Sequence, residues 1–402
     1  MVARYIKSGE KGLAVYRLRN PWQKYDWGSP SAIPEFMGVA ATGEPVAELW
    51  LGTHDFGPSE IADSSQLLSD TVGRIPFMLK LLAPERPLSI QVHPASEDAA
   101  EGYAKENAFG IPIDSVERTY KDPYAKPEMV YALTTFDTLV GFRPTAEILR
   151  MFAIADTKLA NRLMAQLQND PGFAGIVRLV ESILLDDSVT DDDLVELIER
   201  CSQLADAGVD VRRAFLSVVE LAKHFPRDRG LLVSMLMNRL TLQPGEAAYL
   251  EPGIIHAHMS GMCVELQGAS DNVLRAGFTN KHIDVQAMLN TLRFGMSRLS
   301  RVSPLVLDDY TEVFQLPDFA LAVTGSPNND VVPLGFPVQK FVMCIGGEAV
   351  ISNSTGETLN LARGESLYAD ESDGELFVSG TCEIVQAFRP ETSEAIRATD
   401  LI

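Results

Sequence analysis

The feature that most constrains the fold is the stretch 88–94, LSIQVHP, in which apolar and polar residues alternate. Side chains two apart on a β-strand share a face, so Ser89, Gln91 and His93 are predicted to point one way. The apolar residues between them point the other way. Pro94 has no N–H for a sheet ladder and therefore ends the strand. The pattern predicts a strand whose polar row lines a cavity.

A polar row of this kind can hold a metal ion. Gln91 and His93 lie two apart, Glu128 enters a later apolar strand just after Lys126, and histidines follow much further along the chain. Nitrogen and oxygen donors of this kind suit zinc. Glutamine is an uncommon ligand because its carbonyl oxygen is neutral, and the spacing alone also fits a buried polar row without a metal. Spacing alone leaves both interpretations open.

A second strand supplies the distant histidines. It follows the Pro-Gly turn at 252–253, and His256 and His258 share one of its faces, so either can reach a metal. The Pro-Gly-Glu sequence at 244–246 is predicted to be a turn between two further strands. Residues 303–402 repeat the strand-and-turn rhythm of a jelly roll and contain no histidine, so we expect no metal centre there.

Between residues 145 and 238 the pattern becomes helical. Leu194, Leu197 and Leu204 recur at helical spacing behind Thr190, which is predicted to cap that helix. The aspartates at 186–193 superficially resemble a cation site, but are predicted to form a solvated loop and a helix N-terminus. Another helix is predicted over 96–109, with Ser96 as its N-cap.

Composition excludes several classes of protein. A chain of 402 residues is long enough for two or three domains, and its net charge of −21 argues against a nucleic-acid partner. No run approaches the roughly 20 apolar residues of a membrane span, and the opening residues MVARYIKSGEKG lack the apolar core of a signal peptide. The four cysteines show no CxxC spacing, which is typical of thiols in a reducing cytoplasm.

Charged residues inside apolar strands indicate where an anion is bound in this acidic chain. Arg275 lies in such a strand, and arginine is rarely buried without an anion or a carboxylate. A pair with Asp271 is the alternative, although four residues along a strand span about 13 Å. Glu48 and Lys80 also lie in apolar strands, where Lys80 either snorkels from an edge or projects into the cavity.

Four longer strings resemble the type I phosphomannose isomerase family, whose members are zinc enzymes with the cupin fold. They are LSIQVHP at 88–94, YKDPYAKPEMVYAL at 120–133, SDN at 270–272 and RAGFT at 275–279. The resemblance extends over most of the chain. It implies a mainly β fold of two cupin-like jelly rolls, with an α-helical domain inserted in the first. The implied ranges are 1–144 and 239–302 for the catalytic cupin domain, 145–238 for the helical insertion, and 303–402 for a C-terminal jelly roll without metal ligands.

The resemblance also implies a role for individual residues. The family has a ligand at the first histidine of the pair and commonly an aromatic at the second, which favours His256 over His258. One zinc ion per chain is therefore expected on Gln91, His93, Glu128 and His256. The implied catalytic residues are Arg275 and Lys126. The implied substrate-binding residues are Glu48, Lys80, Ser89 and Lys281.

The activity implied by the resemblance is the reversible conversion of mannose 6-phosphate to fructose 6-phosphate. A proton moves between C2 and C1 through an enediol(ate), and Glu48, Glu265, Asp271 and the lysines are all open as its carrier. The expected partner is a small sugar phosphate, bound by a monomer, with no nucleic acid and no membrane. Two other functions stay open: an iron-dependent cupin oxygenase and a non-catalytic sugar-binding cupin.

Overall fold

The computed structural model describes residues 15–207, 212–293 and 301–390. The opening residues MVARYIKSGEKG, which bear on the question of a signal peptide, lie outside these ranges. The chain forms two compact units. Unit 1 comprises Met1–Gln23, Pro30–Lys80 and Ser303–Ile402, and unit 2 comprises Lys24–Ser29 and Leu81–Val302. The four domain ranges expected from the sequence stay a prediction about which parts fold independently.

Antiparallel strands predominate in the described ranges. As far as residue 293 they are β1 Tyr16–Arg19, β2 Trp22–Gln23, β3 Glu48–Leu51, β4 Glu60–Ile61, β5 Phe77–Leu82, β6 Ile90–Val92, β7 Glu128–Ala132, β8 Phe136–Phe142, β9 Met237–Leu242, β10 Ala247–Leu250, β11 His256–Ser260, β12 Cys263–Gly268 and β13 Leu274–Gly277. After residue 300 they are β14 Arg301–Val302, β15 Leu305–Val306, β16 Thr311–Gln315, β17 Ala320–Ser326, β18 Val332–Pro333, β19 Lys340–Asn353, β20 Thr358–Ala362, β21 Ser366–Ala369, β22 Leu376–Ser379 and β23 Cys382–Phe388.

Most helices follow one another without an intervening strand. The helices are α1 Ala32–Phe36, α2 Leu68–Val72, α3 Ser96–Ala108, α4 Thr145–Ala155, α5 Lys158–Asn169, α6 Phe173–Leu185, α7 Asp191–Asp206, α8 Arg212–Ala222, α9 Gly230–Met235 and α10 Val285–Thr291. Helices α4 to α9 occupy the segment between β8 and β9, where helical periodicity was predicted. Within the described ranges, every helix is too short or too polar to cross a membrane.

Two helix starts test the sequence predictions. Thr190 does cap α7: its side chain accepts from the N–H of Asp193, whose carboxylate accepts from the N–H of Thr190. The prediction that Ser96 caps α3 was wrong, because Ser96 is the first helical residue and Ala95 occupies the N-cap position without a side-chain hydrogen bond. Ala95 already has the extended backbone of an N-cap, with φ −68° and ψ 166°.

The sheet that positions the polar row belongs to unit 2. Its five strands pair in the order β13–β6–β11–β8–β9. The predicted strand over 88–93 is shorter than expected, since the ladder spans Ile90–Val92. Ile90 and Val92 project from the apolar face and join one hydrophobic core with helices α4 to α9. The helical segment therefore covers the face of this sheet that water would otherwise reach.

The opposite face of the five-stranded sheet looks into a second core of unit 2. Val140 of β8 and Leu240 of β9 contribute to it, together with Val130 of β7, Leu250 of β10 and Cys263 of β12. Strands β7, β10 and β12 belong to another sheet, in which β14, β10, β7 and β12 are neighbours in that order. The interior of unit 2 thus lies between two sheets, as in a jelly roll.

The helical segment is also tied to strand β13 by polar contacts. The carboxylate of Asp228 accepts hydrogen bonds from the N–H groups of Gly230, at 2.7 Å, and Phe278, at 2.7 Å. Phe278 has a left-handed backbone, with φ 58°, and its ring stacks on Phe225 at 4.8 Å between centroids. A non-glycine residue in that conformation is costly unless its surroundings fix it. Asp228 and Phe225 supply that constraint.

Unit 1 is built on an eleven-stranded sheet that contains β1, β4 and strands β15 to β23. Its core includes a buried cation: Lys340 is 3 % exposed and donates to the carbonyl of Gly335, at 2.8 Å, and to Gln386 Oε1, at 2.9 Å. Burial lowers the pKa of Lys340 to about 7, and Asp373 opposes this shift only in part.

We expect this lysine to make stability depend on pH. Between pH 7 and 9 the unfolded lysine stays protonated while the folded one loses its proton, so the free energy of unfolding rises with pH. Relative to Lys340→Met, the wild type should gain about 2 kcal/mol over this interval. Urea unfolding of both proteins at the two pH values measures the difference. The exposed Lys223→Met is the control, and a pH-independent difference for Lys340→Met would contradict the prediction.

Candidate metal centre

Strand register brings the predicted residues of unit 2 together. Gln91 in β6 lies directly opposite His256 of β11 on one side and opposite Arg275 of β13 on the other. Side chains of directly paired residues share a face and are close neighbours. Gln91 therefore sits between a potential metal ligand and a cation.

A tight turn fixes the register of β11. The N–H of Gly253 donates to the carbonyl of His93 at 2.8 Å. Gly253 has φ +90°, and a Cβ there would lie 2.4 Å from Cγ of Arg293. This position accepts glycine alone without rearrangement. The turn thereby places His256, three residues further on, opposite Gln91.

Glu128 completes the cluster from the first position of β7. Its Oε1 lies 3.2 Å from Nε2 of His93, and its Oε2 lies 3.2 Å from Nε2 of His256. Nε2 of Gln91 lies 3.2 Å from the same His256 nitrogen. The four side chains are buried, with at most 9 % of any of them exposed. Ligand atoms around a tetrahedral zinc lie about 3.3 Å apart, so these separations fit one ion.

Backbone carbonyls fix the tautomers of both histidines. Nδ1 of His93 lies 2.6 Å from the carbonyl oxygen of Asn272, and Nδ1 of His256 lies 3.0 Å from that of Ile254. A carbonyl only accepts, so each Nδ1 carries the proton and donates it. Each Nε2 then presents a lone pair toward Glu128. Orientation of metal-binding histidines through the other ring nitrogen is the usual arrangement in proteins.

Nε2 of His93 and Oε2 of Glu128 are buried without a hydrogen-bond partner among the described residues. Nε2 of His93 faces Oε1 of the same carboxylate, and Oε2 faces Nε2 of His256, each at 3.2 Å. Acceptor lone pairs that face each other in this way in a dry interior are unfavourable unless a cation lies between them. The donor set of two imidazole nitrogens, a carboxylate and an amide oxygen matches a borderline divalent metal such as zinc. The amide oxygen of Gln91 reaches His256 after a half-turn about its last side-chain bond.

Protonation states favour the same ligand set. Burial lowers the pKa of His93 to about 4, although the neighbouring Glu128 opposes this, so the ring is neutral at pH 7. Burial alone would raise the pKa of Glu128, but Lys126, His93 and His256 together bring it well below its ordinary value. Nζ of Lys126 lies 3.1 Å from Oε1 of Glu128. The site thus presents an ionised carboxylate at Glu128 and a neutral imidazole at His93, the forms that bind metals.

His258, the alternative ligand, has a different partner. Its Nε2 lies 3.5 Å from Oε1 of Glu265, and its Nδ1 lies 3.1 Å from Oγ1 of Thr138. The arrangement therefore groups His256, rather than His258, with His93 and Glu128.

The predicted cations and polar groups take up positions around the cluster. Arg275 is partly buried and donates to the carbonyl of Val273 at 3.2 Å, and the described residues place no carboxylate within 4 Å of its guanidinium. Burial lowers the pKa of Lys281, and the positive charges of Arg275 and Lys121 lower it further. Arg275 and Lys121 therefore lie close enough to Lys281 to repel its charge. Oγ of Ser89 lies 3.4 Å from Oε1 of Gln91.

Glu48 and Lys80 belong to unit 1. There Oε1 of Glu48 lies 3.5 Å from Nζ of Lys80, and its Oε2 accepts from Nε1 of Trp50 at 2.7 Å. Nζ of Lys80 also lies 5.1 Å from the centroid of the Trp50 ring. The two predicted residues thus neutralise each other in the interior of unit 1.

Asn272 is a residue that the sequence reasoning missed. It is fully buried, and besides its carbonyl contact to His93 its side chain accepts from the N–H of Lys121, at 2.8 Å. Its amide donates to the carbonyls of Asp122, at 2.8 Å, and Tyr124, at 2.9 Å. Asn272 therefore fastens the loop that leads to Lys126 while it orients a metal ligand. The SDN string at 270–272 was the signal that could have pointed to Asn272. The string does not reveal which residues Asn272 contacts.

Comparison with known proteins agrees with this arrangement. Residues 15–145 match the model of the phosphomannose isomerase type I catalytic domain. The mannose-6-phosphate isomerase of Salmonella typhimurium is 30 % identical, over 93 % of this chain and 99 % of its own length. The human enzyme of the same name is also 30 % identical, over 89 % of this chain and 94 % of its own. This chain belongs to the type I phosphomannose isomerase family.

Solved structures of that family share the fold. The Salmonella typhimurium mannose 6-phosphate isomerase bound to fructose 6-phosphate and zinc superposes with a TM-score of 0.83, at 29 % identity. The superposition covers 93 % of this chain and 99 % of that one. The predicted fold class, mainly β with cupin-like jelly rolls and a helical insertion, is confirmed.

The first prediction from the site concerns Asn272. Asn272→Ala removes the side-chain hydrogen bonds to Lys121, Asp122 and Tyr124 and leaves buried backbone groups unpaired, so the free energy of unfolding should fall by about 3 kcal/mol. Because the carbonyl at position 272 also orients His93, we expect zinc affinity to fall by about tenfold or more. Calorimetric titration with Zn²⁺ and urea unfolding measure both effects. The exposed Asn290→Ala is the control, and unchanged zinc affinity in a destabilised Asn272→Ala would contradict the orienting role.

Proposed function

We propose that this chain is a zinc-dependent isomerase that interconverts mannose 6-phosphate and fructose 6-phosphate. The observation that carries the proposal is the convergence of Gln91, His93, Glu128 and His256 in a chain of this family, with buried or partly buried cations beside them. Fold likeness alone would not suffice, because jelly rolls host unrelated activities.

Gln91, His93, Glu128 and His256 are the proposed ligands of one zinc ion. The support is the set of 3.2 Å separations, the Nδ1 hydrogen bonds that leave both Nε2 lone pairs available, and the unpartnered Glu128 oxygen. When bound, the zinc would act as a Lewis acid toward the oxygens of the sugar. Lys126 contacts the carboxylate of Glu128 at 3.1 Å, and its proposed catalytic role is to supply positive charge beside the metal site.

Arg275 and Lys281 are the proposed partners of the substrate's negative charges. A guanidinium without a carboxylate partner in a partly buried strand is unfavourable until an anion arrives. Ser89, next to Gln91, is a proposed hydroxyl contact. Glu48 and Lys80 are proposed as substrate contacts on the strength of the family motif. Arg275 and Lys281 would gather positive charge locally within a chain of net charge −21.

The proposed setting is a cytoplasmic monomer that acts on a small molecule. All four cysteines are buried and none is joined in a disulfide, which fits a reducing compartment. Their burial raises the pKa of Cys201 and Cys344 to about 12, so these thiols are unreactive. Sedimentation equilibrium of the zinc-loaded protein would measure its oligomeric state directly.

A coupled assay with mannose 6-phosphate tests the activity. The protein loaded with one equivalent of zinc should form fructose 6-phosphate, lose this activity after chelation, and regain it on addition of Zn²⁺. Oxygen consumption by the iron-loaded protein, without isomerisation by the zinc-loaded one, would overturn the proposal in favour of an oxygenase. Sugar binding without turnover at full zinc occupancy would overturn it in favour of a binding protein.

Substitution of the neutral ligand tests whether charge at the metal matters. Gln91→Glu should retain zinc, but a second carboxylate lowers the positive charge that the ion presents to the sugar. We expect kcat to fall by about tenfold, equivalent to about 1.4 kcal/mol of activation free energy. Steady-state kinetics at measured zinc content provides the test. The shape-matched Gln243→Glu, in the turn after β9, is the control, and an unchanged kcat for Gln91→Glu would exclude charge as the relevant property.

Kinetics of an Arg275 variant distinguish contact with the substrate's phosphate from contact with the enediolate. Contact with the phosphate stabilises ground and transition states alike, so its loss would mainly raise KM. Contact with the enediolate acts in the transition state, so its loss would lower kcat. The position of Arg275 opposite Gln91 favours the second. We expect Arg275→Ala to lower kcat by about 10²–10³-fold at full zinc occupancy.

The exposed Arg227→Ala provides the matched control for this measurement. A large rise in KM with near-normal kcat would move Arg275 to the phosphate. Normal values of both constants would remove it from the active site.

A further inference from the structure

A second group of potential ligands lies beside the first. Glu128, His258 and Glu265 bring their ligand atoms within 4.8 Å of one another. Only 1 % of Glu128, 1 % of His258 and 3 % of Glu265 is exposed. Glu128 belongs to both groups, whereas His258 and Glu265 have no role in the proposed zinc site. Lys126 compensates the charge of Glu128 from 3.1 Å, and Glu265 brings a second buried carboxylate close to it.

The hydroxyl of Thr138 contacts Nδ1 of His258 and two backbone carbonyls. Its Oγ1 lies 3.1 Å from the carbonyl of Ala257 and 3.3 Å from that of Leu139, and both carbonyls can only accept. When the hydroxyl donates to one of these carbonyls, its oxygen accepts from Nδ1 of His258, at 3.1 Å, and the lone pair lies on Nε2. When the hydroxyl donates to Nδ1, the ring proton lies on Nε2. A cation beside Nε2 selects the first arrangement.

That lone pair points into the second group. Nε2 of His258 lies 3.5 Å from Oε1 of Glu265 and has no hydrogen-bond partner among the described residues. Two acceptors at this distance repel each other in a dry interior unless a cation lies between them. Ligand atoms of one zinc-sized ion lie about 3.3 Å apart, so the pair is close to the separation that such an ion requires.

We propose that Glu128, His258 and Glu265 form a second divalent-cation site, which shares the Glu128 carboxylate with the site of Gln91, His93 and His256. The assignment rests on an unpartnered, buried imidazole nitrogen that faces a carboxylate, and it does not require isomerase activity. A carboxylate offers two oxygens as ligands, and Glu128 belongs to both groups of potential ligand atoms.

The donor set specifies the class of ion. One imidazole and two carboxylates suit a first-row divalent cation such as Zn²⁺, Co²⁺ or Mn²⁺. Mg²⁺ and Ca²⁺ prefer oxygen-only surroundings and, in the case of Mg²⁺, several retained waters, which a site with at most 3 % of any ligand exposed does not offer. We therefore expect the second site to take Zn²⁺ or Co²⁺ in preference to Mg²⁺.

Metal stoichiometry tests the site. Metal-free full-length protein is titrated with Zn²⁺ by calorimetry, and bound zinc is counted after gel filtration. The wild type should bind two equivalents, and His258→Phe should bind one. Phe136 already lies 5.3 Å from the ring of His258, so the pocket has an aromatic neighbour for the new side chain. His224→Phe, at an exposed histidine, is the control and should bind two equivalents.

Glu265→Gln provides a second variant of unchanged shape, which decides the question if His258→Phe fails to fold. Loss of one carboxylate should weaken the second binding event by about tenfold or more and leave the first unchanged. One equivalent in the wild type would overturn the proposal, because a shared proton would then occupy the group. The proposal would also be overturned if folded His258→Phe or Glu265→Gln bound two equivalents of zinc as tightly as the wild type. The second ion would then lie outside the group of Glu128, His258 and Glu265.

The two proposals fail independently in these experiments. A protein that binds two zinc ions but shows no turnover retains the second site and loses the proposed activity. A protein that isomerises mannose 6-phosphate with one bound zinc retains the activity and loses the second site. Anomalous diffraction at the zinc edge would locate each ion directly.

Discussion

The structure of unit 2 depends on the buried carboxylate of Glu128. Only 1 % of Glu128 is exposed. A buried carboxylate is unfavourable by several kcal/mol unless opposite charges and hydrogen-bond donors surround it. Lys126 provides one such charge, two residues earlier along the same chain. His93 and His256 approach the same carboxylate with lone pairs rather than protons, which makes a metal ion the natural third component. The strands around Glu128 must therefore meet accurately.

The helical segment follows from the same requirement. A sheet that turns its polar row inward exposes an apolar row on its other face, and in β6 that row is Ile90 and Val92. Helices α4 to α9 bury it, so the five-stranded sheet is covered on both faces. This explains why a helical insertion lies between β8 and β9, next to the strands that it covers. The apolar surface that the helices bury also stabilises strands that end in strained or polar positions.

Local patterns predicted much of this arrangement, and non-local geometry decided the remainder. Alternation showed that Gln91 and His93 share a face, because a period of two is a property of the strand itself. It could not separate His256 from His258, since a shift of two residues preserves the face; the turn at Gly253 makes that choice. Asn272 was missed because its partners lie about 150 positions earlier in the chain. The wrong cap at Ser96 was an error of one residue, which is typical at helix ends.

The contact between Asp228 and Phe278 has a consequence for the order of folding. Strand β13 reaches its final shape only when the end of the helical segment is present to fix the left-handed backbone of Phe278. Helices depend on local contacts and form early, whereas β6 and β13 are separated by about 180 residues and must close a long loop. The arginine carried by β13 would then be among the last groups to reach its place during folding. Nascent chains would acquire their compact helices well before they acquire a working site.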